Sequence, residues 1–312
     1  MKKKESKIYK LISLALRIVR KSRIARYSCK YSKRVYTQHQ HIVILIMKTY
    51  FRLDYRGICN LLLEMSNIRS ALGLKQIPHF TTIQKFLKRF NTMLFDKLIS
   101  QVITSFEGVT IAIDATGFTS SYSSKYYVKR INMDSKSKHF LKSTIAIDVK
   151  NQLILAVKLR KSPSNDNKDF KPILKKVGKI AEIKMVLADK GYDSEDNLCF
   201  VKHKLNAKPI ISIRGGNSSP LKSRNGGKLR KKMYLSLEKD PVVQKEYHQR
   251  SKVETVFSVI KRKFGDELYA RSLTMRKKEA KLKHLVYNLY RKIIFFYFGG
   301  FLHSQRIVTF KY

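Results

Sequence analysis

The sequence predicts an α/β protein with a mixed, five-stranded β-sheet flanked by helices and preceded by a helical N-terminal region. Three observations lead to this prediction. Residues 36–95 carry apolar residues at helical spacing, the chain after residue 109 contains short β-branched runs, and helical segments alternate with those runs. The chain has 312 residues, which is enough for one large domain with appendages or for two domains.

The first hundred residues are predicted to be helical. Residues 1–35 are dominated by cations and contain one short helical pattern, so they form either a disordered basic arm or a helix that contacts DNA. Further helices are predicted over HIVILIMKTYF, over YRGICNLLLEM and, after a break at Gly73, over FTTIQKFLKRF with Thr81 or Thr82 as the N-cap. This order is typical of a helix-turn-helix that reads DNA, and it is equally compatible with helices that only pack together.

Five segments after residue 105 are predicted to be strands. VTIAID and IKMVLAD are buried strands that end on an acid, at Asp114 and Asp189. STIAIDV and QLILAVKLR are separated by Lys150 and Asn151 and predict a hairpin, and AKPIISI is the fifth strand. These segments supply the predicted sheet.

The helices of this second region are predicted over residues 169–181, over SEDNLCFVKHKL with Ser194 as the N-cap, and over residues 241–264. Residues 213–240 are rich in Gly, Ser and cations and indicate a short basic insertion. The predicted organisation is a basic N-terminal arm (1–35), a helical DNA-binding region (36–100), an α/β domain (105–295) and a C-terminal tail (296–312).

The charge of the chain points to a polyanionic partner. Lys and Arg number 66 against 22 Asp and Glu, which gives a formal net charge of +44. Self-repulsion at that charge favours a partner such as nucleic acid, with an anionic membrane surface as the second candidate. The late apolar run LVYNLYRKIIFFYFGGFL is interrupted by Arg291 and Lys292, so it predicts a buried helix end and no membrane span.

Cysteine usage predicts a reducing, cytoplasmic location. The three cysteines, Cys29, Cys59 and Cys199, are far apart and form neither a CxxC pair nor a zinc-ligand spacing. A disulfide framework and a structural zinc site are therefore not expected. The N-terminus carries no small-residue cleavage site after its apolar stretch, which argues against a signal peptide.

The segment EYHQRSKVETVFSVIKRKFGD brings unusual polar residues to one predicted helix face. At about 100° per residue, Tyr247, Arg250, Glu254 and Lys261 fall within an arc of roughly 60°. An apolar stripe beside that arc can be buried while the charged edge faces a cleft. The stripe consists of Val253, Val256, Phe257, Ile260 and Phe264. A merely solvated charged face is the competing interpretation.

Three carboxylates are candidates for a shared site. Asp114 and Asp189 end predicted neighbouring strands, and the helix that bears Glu254 can pack across the same edge of the sheet. Carboxylates brought together repel unless a cation binds between them, and oxygen ligands suit Mg²⁺ or Mn²⁺. Two such ions about 3.5–4 Å apart can clamp the attacking and leaving oxygens of a displacement at phosphorus. Each Asp alone is equally compatible with a turn or a helix cap.

Other polar residues near these motifs receive simpler interpretations. Asp148 is expected to cap the hairpin turn, and Asp193 is expected to cap the following helix. His139 and His248 are candidate phosphate contacts or ordinary surface groups.

These motifs resemble those of the DDE transposases of bacterial and archaeal insertion sequences, in the groups conventionally numbered four and five. IAIDATGF is similar to the first-aspartate strand of that family, and LADKGYDS is similar to its Asp-x-Gly-Phe/Tyr motif. The third segment fits Tyr-x2-Arg-x3-Glu-x6-Lys without a gap, and the resemblance extends over residues 37–295. An RNase H-like catalytic domain is the fold that the resemblance implies.

The resemblance also implies roles and partners. Asp114, Asp189 and Glu254 would be the catalytic residues and the metal ligands, with two Mg²⁺ or Mn²⁺ ions. Arg250 and Lys261, together with Tyr247, would hold the transposon end. The partners would be double-stranded transposon ends and target DNA, bound by a homodimer or larger assembly in the cytoplasm, on the nucleoid, of a prokaryote.

Three functions are compatible with these residues. The first is a transposase that binds terminal inverted repeats, cleaves the ends of the element and joins them to a target. The second is a DNA-binding protein without catalysis, such as a regulator or a domesticated transposase. The third is an RNase H-like nuclease that acts on RNA or hybrids.

Overall fold

The computed structural model describes residues 6–103, 108–120, 140–162, 164–214 and 226–306. The chain divides into a helical unit, Met1–Val102 with Lys281–Tyr312, and an α/β unit, Ile103–Ala280. The sequence pattern put the start of the α/β domain at 105, close to this boundary, and its end at 295. The boundary between Ala280 and Lys281 falls inside the last helix, Leu273–Arg306, so this helix is divided between the two units.

Among the described residues, six helices precede the sheet, and their bounds follow the apolar periodicity of the sequence. They are α1 (Lys7–Lys21), α2 (Gln38–Tyr50), α3 (Tyr55–Glu64), α4 (Ser66–Leu72), α5 (Phe80–Arg89) and α6 (Thr92–Val102). Helix α2 is the centre of the unit, because its residues 41–47 are all buried. A capping box between Thr37 and Gln40 fixes where α2 begins.

The basic N-terminal segment contains a packed helix. One face of α1 is buried at Leu11, Ile12, Ala15 and Val19, while its cations remain on the other face. The helix packs against α2, α4 and α6. Of the two interpretations for this segment, disorder does not apply to residues 7–21.

The prediction for the start of α5 was wrong. The helix begins at Phe80 with the extended residue His79 as its N-cap, so Thr81 and Thr82 lie inside the first turn. Pro78 favours an extended conformation at Ile77, the residue before it, and the His79 ring contacts the Thr81 hydroxyl at 2.8 Å. The break predicted at Gly73 is confirmed, because Gly73 ends α4 with a left-handed φ of 62°.

Within the described ranges, the sheet of the second unit has the predicted five strands and one short additional strand. Its strands are β1 (Val109–Ser120), β2 (Leu141–Asp148), β3 (Ile154–Lys161), β4 (Ile183–Ala188), β5 (Lys208–Ile211) and β6 (Glu267–Leu268). The spatial order is β3-β2-β1-β4-β5, and β6 pairs with the end of β1. Strands β1, β2 and β3 are antiparallel neighbours, whereas β4 and β5 run parallel to β1. This mixed arrangement, flanked by helices, is an RNase H-like fold, which confirms the predicted fold class.

In the part of the chain that the structure describes, six further helices follow the hairpin. They are α7 (Asn167–Val177), α8 (Glu195–Cys199), α9 (Lys228–Lys239), α10 (Pro241–His248), α11 (Lys252–Phe264) and α12 (Leu273–Arg306). A π-helical turn, Phe200–Lys204, continues α8. Helix α7 packs on β2 and β3 and buries Phe170, Ile173, Leu174 and Val177. Within the described ranges, no helix combines the length and the apolar composition that crossing a lipid bilayer requires.

Helix α9 occupies part of the segment that was predicted to be a basic insertion. Residues 228–239 have no fully buried side chain, although Leu229, Met233 and Tyr234 are partly buried against the core. The helix begins where the Glu195 carboxylate accepts the backbone N–H groups of Leu229 and Arg230, at 3.0 and 2.9 Å. A carboxylate at a helix N-terminus satisfies unpaired donors and favours the helix dipole. The start of α9 therefore depends on a residue from another helix.

Gly227→Ala is expected to loosen α9. Gly227 has a φ of 70°, and a methyl group there would lie 2.2 Å from the Glu195 carboxylate oxygen. We expect a loss of about 1–3 kcal/mol in the free energy of unfolding and faster amide hydrogen exchange in α9. Gly178→Ala is the matched control, because Gly178 has helical dihedrals and ordinary space around it. Equal exchange in the two variants would contradict this role of Gly227.

Candidate active site

Asp114 lies within a strand, although the sequence predicted that the strand ends there. Strand β1 continues to Ser120 because β2 pairs with it as far as Phe118. The parallel neighbour β4 stops at Ala188, which pairs with Ile113. The next residues along these two parallel strands are Asp114 and Asp189, so the register brings both aspartates to the same edge of the sheet.

Glu254 reaches this edge on a helix that is not continuous with the preceding one. A single helix was predicted over residues 241–264, but a 3₁₀ turn, Gln249–Ser251, separates α10 from α11. Glu254 lies in the first turn of α11. The apolar stripe predicted for this helix is confirmed: all five of its residues are buried, and α11 packs against β1 and β2.

Arg250 joins the carboxylates. One guanidinium nitrogen lies 3.7 Å from Asp114 Oδ2, and the other lies 2.9 Å from Glu254 Oε1. The Arg250 guanidinium is also 5.8 Å from the centre of the Tyr247 ring. The 3₁₀ turn therefore keeps Tyr247, Arg250 and Glu254 together. Lys261 lies two turns further along α11 and is half-buried, and no described contact joins it to this group.

Asp189, Glu254 and Arg250 all act electrostatically on Asp114. Burial raises the pKa of Asp114 to about 6. The Ala115 N–H, which donates to Asp114 Oδ1 at 2.8 Å, and Arg250 both lower this pKa, whereas Asp189 and Glu254 raise it. Burial alone would lower the pKa of Arg250, but its interactions with the surrounding groups raise the pKa above its ordinary value. Negative charge is therefore concentrated around the Arg250 guanidinium.

The carboxylates of Asp114, Asp189 and Glu254 suit a hard divalent cation, although the Arg250 guanidinium contacts two of them, Asp114 and Glu254. Three carboxylates offer oxygen ligands of the kind that Mg²⁺ and Mn²⁺ take. Among the described residues, no three His, Cys, Asp or Glu side chains are arranged as a metal-binding cluster. The Arg250 guanidinium contacts both Asp114 and Glu254, so it occupies part of the space between these two carboxylates.

The turn after Asp189 is held by contacts that the sequence analysis missed. Asp193 was predicted to cap the next helix, and this was wrong. Its buried carboxylate forms a two-bonded ion pair with Arg230 of α9, at 2.7 Å for each bond, and accepts the Arg214 N–H at 3.1 Å. These partners lie 21 and 37 residues away in sequence, so no local pattern could have revealed them.

A second ion pair supports the same turn from the other side. Asp166 pairs with Lys142 of β2, and a methyl group at Gly191 would lie 3.1 Å from the Asp166 carboxylate. Because the Asp166 carboxylate comes so close to position 191, glycine fits there with less crowding than any residue with a side chain. Tyr192 is buried beside Phe170, with ring centres 5.5 Å apart, and anchors the turn to the core.

The remaining polar candidates have mixed outcomes. Asp148 caps the hairpin as predicted, because its carboxylate accepts the N–H groups of Lys150 and Asn151, both at 3.1 Å. His248 is exposed at the end of α10, where its role as a phosphate contact stays a prediction. His139 lies outside the described residues.

The sequence of this unit matches a known family. Residues 105–289 match the family model described as the transposase DDE domain, which is more than half of the chain. The chain belongs to this transposase family. The match confirms the resemblance at the level of the family, and the transposase domain contains Asp114, Asp189 and Glu254.

Two solved structures have distant similarity to the transposase chain. One is the piggyBac transposase synaptic complex with hairpin DNA, with a TM-score of 0.47 and 11% sequence identity over 91% of this chain and 73% of that chain. The other is the simian T-cell lymphotropic virus intasome in complex with PP2A regulatory subunit B56 gamma, with a TM-score of 0.25 and 10% identity over 67% and 65%. Both are too distant to support an argument about this site. Among curated proteins, no sequence matches.

Proposed function

We propose that this chain is a DNA transposase of an insertion sequence of groups four and five, with a Tyr-Arg-Glu-Lys motif. It binds the terminal inverted repeats, cleaves the DNA strands at the ends of the element and transfers them to a target. The observation that carries the proposal is the juxtaposition of Asp114, Arg250 and Glu254, with Asp189 beside Asp114, in a transposase domain.

Asp114, Asp189 and Glu254 are the catalytic residues of this proposal and would hold two Mg²⁺ or Mn²⁺ ions. When bound, such ions supply a metal-activated hydroxyl nucleophile and neutralise charge on the transferred phosphate. The chain's own contribution is a rigid frame, because β1 and the turn after β4 fix the two aspartates in register. The buried stripe of α11 holds Glu254 against that edge.

Arg250 has two functions in this proposal. Without DNA it lies between Asp114 and Glu254 and neutralises part of their repulsion. When a DNA end is bound, its planar guanidinium grips a backbone phosphate with two hydrogen bonds. Lys261 contributes a single positive charge to the same strand, and Tyr247 stacks on a base or donates to a phosphate.

The helical unit and the net charge of +44 support a long DNA contact. We assign residues 36–100 to the recognition of the inverted repeats, with α5 as the helix that enters the major groove. Because two ends of an element must be joined, a homodimer or a larger assembly is the expected active form. The proposed location is the cytoplasm of a prokaryote, on the nucleoid.

The test is cleavage and joining of a duplex that carries the flanking inverted repeat. The purified chain is expected to nick this DNA at the repeat boundary with Mg²⁺ or Mn²⁺ and to be inactive after chelation with EDTA. A scrambled duplex of equal length and an RNA–DNA hybrid serve as controls. Binding without any metal-dependent cleavage would support the non-catalytic alternative, and preferential cleavage of the hybrid would support an RNase H-like nuclease.

A further inference from the structure

The loop between α1 and α2 carries a surface that the motifs do not explain. We define the Tyr31 loop as residues 23–35, with the sequence RIARYSCKYSKRV. It contains five cations, and no acid occurs anywhere between Glu5 and Asp54. The cations are Arg23, Arg26, Lys30, Lys33 and Arg34, and all five are exposed. Such a surface favours a polyanion.

The aromatic residues of the Tyr31 loop are arranged with its cations. The guanidinium groups of Arg26 and Arg34 lie 5.9 and 6.0 Å from the centre of the Tyr27 ring. The Lys30 ammonium lies 5.0 Å from the centre of the Tyr31 ring. Because cation–π contacts restrain long side chains, these cations are partly ordered before any ligand binds.

Tyr31 lies at the tip of the loop and is available to a ligand. The Ser32 N–H donates to the Cys29 carbonyl at 3.2 Å, so Lys30 and Tyr31 are the central residues of a hydrogen-bonded turn. The Tyr31 side chain is 82% exposed, the highest value among the large hydrophobic residues described. A ring that contributes nothing to the core and lies among cations is suited to stacking.

The loop is also anchored at its N-terminal end. The Ile24 and Ala25 carbonyls contact the side chains of His39 and Gln38 at 2.7 and 3.0 Å, and the Gln38 N–H donates to the Arg26 carbonyl at 2.7 Å. These bonds connect the loop to the first turn of α2. Arg34 adopts a φ of 54°, a conformation that is uncommon outside glycine and occurs in binding loops.

We propose that the Tyr31 loop binds single-stranded DNA, with Tyr31 stacked on an unpaired base and the loop cations on the adjacent phosphates. A flat ring needs the open face of a base, and in a duplex both faces of each base are covered by its neighbours. Cations interleaved with an exposed aromatic ring are the general form of a single-strand contact. The inference rests on the proposed function and extends it, since strand cleavage and transfer create free DNA ends, where a base can separate from its partner.

The test is the affinity of the full chain for a fluorescein-labelled oligothymidylate of about 15 nucleotides, a length chosen from typical single-strand site sizes. Binding is measured by fluorescence anisotropy in EDTA, with a duplex of equal length in parallel. Tyr31→Ala is expected to weaken single-strand binding about tenfold and to leave duplex binding within about twofold, because one base stack contributes about 1–3 kcal/mol. Tyr31→Phe keeps the ring and is expected to retain the affinity.

Tyr269→Ala is the matched control, because Tyr269 is also exposed, at 68%, but its backbone N–H is bonded to the acidic Glu279. This variant is expected to bind like the wild type. The proposal is overturned if the wild type does not bind the oligothymidylate, if Tyr31→Ala binds it normally, or if Tyr31→Ala loses the duplex equally. Binding is measured without metal and without cleavage, so the two proposals can fail separately. If the chain binds single strands through Tyr31 but does not cleave DNA, the proposed function is overturned and the single-strand site is retained.

Discussion

Asp114→Asn is expected to reduce DNA strand cleavage by about a thousandfold, with DNA affinity nearly unchanged. The substitution replaces one carboxylate oxygen of the proposed metal site, which Asp114 would share with Asp189 and Glu254. Loss of metal-assisted charge stabilisation costs several kcal/mol in the transition state, and about 4 kcal/mol corresponds to a thousandfold in rate. Single-turnover cleavage of an end-containing duplex in Mn²⁺ measures the effect, and anisotropy measures the affinity. Full cleavage by the variant would contradict the catalytic role.

The same substitution is expected to stabilise the metal-free protein at neutral pH. The pKa of Asp114 is raised by burial from 3.8 to about 6, so the folded state holds the ionised carboxylate less favourably than the unfolded state does. The contribution of Asp114 to the free energy of unfolding therefore falls as the pH rises from 3.8 to about 6, and it stays low at higher pH. At pH 8, Asn removes a penalty of at most about 3 kcal/mol. A higher melting temperature together with lost cleavage would exclude misfolding as the cause of the loss.

The control for Asp114 is supplied by the sequence itself. Ile-Ala-Ile-Asp occurs twice, at 111–114 and at 145–148. The second aspartate, Asp148, is buried and bonded to the hairpin turn. Asp148→Asn is therefore expected to lower stability slightly and to retain cleavage in the folded protein. Equal loss of cleavage in the two variants would mean that the assay reports folding.

Arg250→Gln is expected to have opposite effects on metal binding and on catalysis. Its guanidinium competes with a cation for Asp114 and Glu254, so its removal is expected to tighten Mn²⁺ binding in the absence of DNA about fivefold. The factor is modest because Glu254 is 56% exposed and an exposed ion pair is worth at most about 1 kcal/mol. Cleavage is expected to fall about a hundredfold or more, since a charge-assisted phosphate contact of about 3 kcal/mol is lost.

Calorimetric titration with Mn²⁺ and single-turnover cleavage are the two measurements. Arg250→Lys keeps the charge but loses the planar two-bonded grip, so it is expected to bind Mn²⁺ nearly like the wild type and to cleave slowly. Arg262→Gln is the matched control, because Arg262 is exposed on the same helix. Weaker Mn²⁺ binding by Arg250→Gln would mean that Arg250 orients the carboxylates and does not compete with the metal.

The parts of the fold that were predicted correctly depend on local patterns. The β-branched runs predicted five strands, the Lys150-Asn151 turn predicted the hairpin, and the apolar stripe of α11 predicted which face is buried. In each case the residues that determine the element lie within it or next to it in sequence. Asp148 was assigned correctly for the same reason, since a turn acceptor bonds to residues only two or three positions away.

The parts that were missed depend on partners that are distant in sequence. Helix α9 begins at a carboxylate from α8, and Asp193 pairs with Arg230 instead of capping a helix. The 3₁₀ turn at Gln249–Ser251 interrupts a segment whose periodicity suits a continuous helix. Arg250 lies in this turn and still contacts both Asp114 and Glu254. These contacts therefore form although the residues do not lie on one face of a continuous helix, as was expected.

The sequence alone supplied the candidate acids, and the tertiary structure decided how they are brought together. The two Ile-Ala-Ile-Asp segments pair with each other in antiparallel strands, with Ile111 opposite Asp148 and Asp114 opposite Ile145. Antiparallel pairing sends their aspartates to opposite ends of the paired segment, where Asp148 becomes a turn cap. The parallel pairing of β1 with β4 brings Asp114 to the end where Asp189 follows its strand. Strand direction, which no local pattern encodes, therefore places Asp114 at the same edge of the sheet as Asp189.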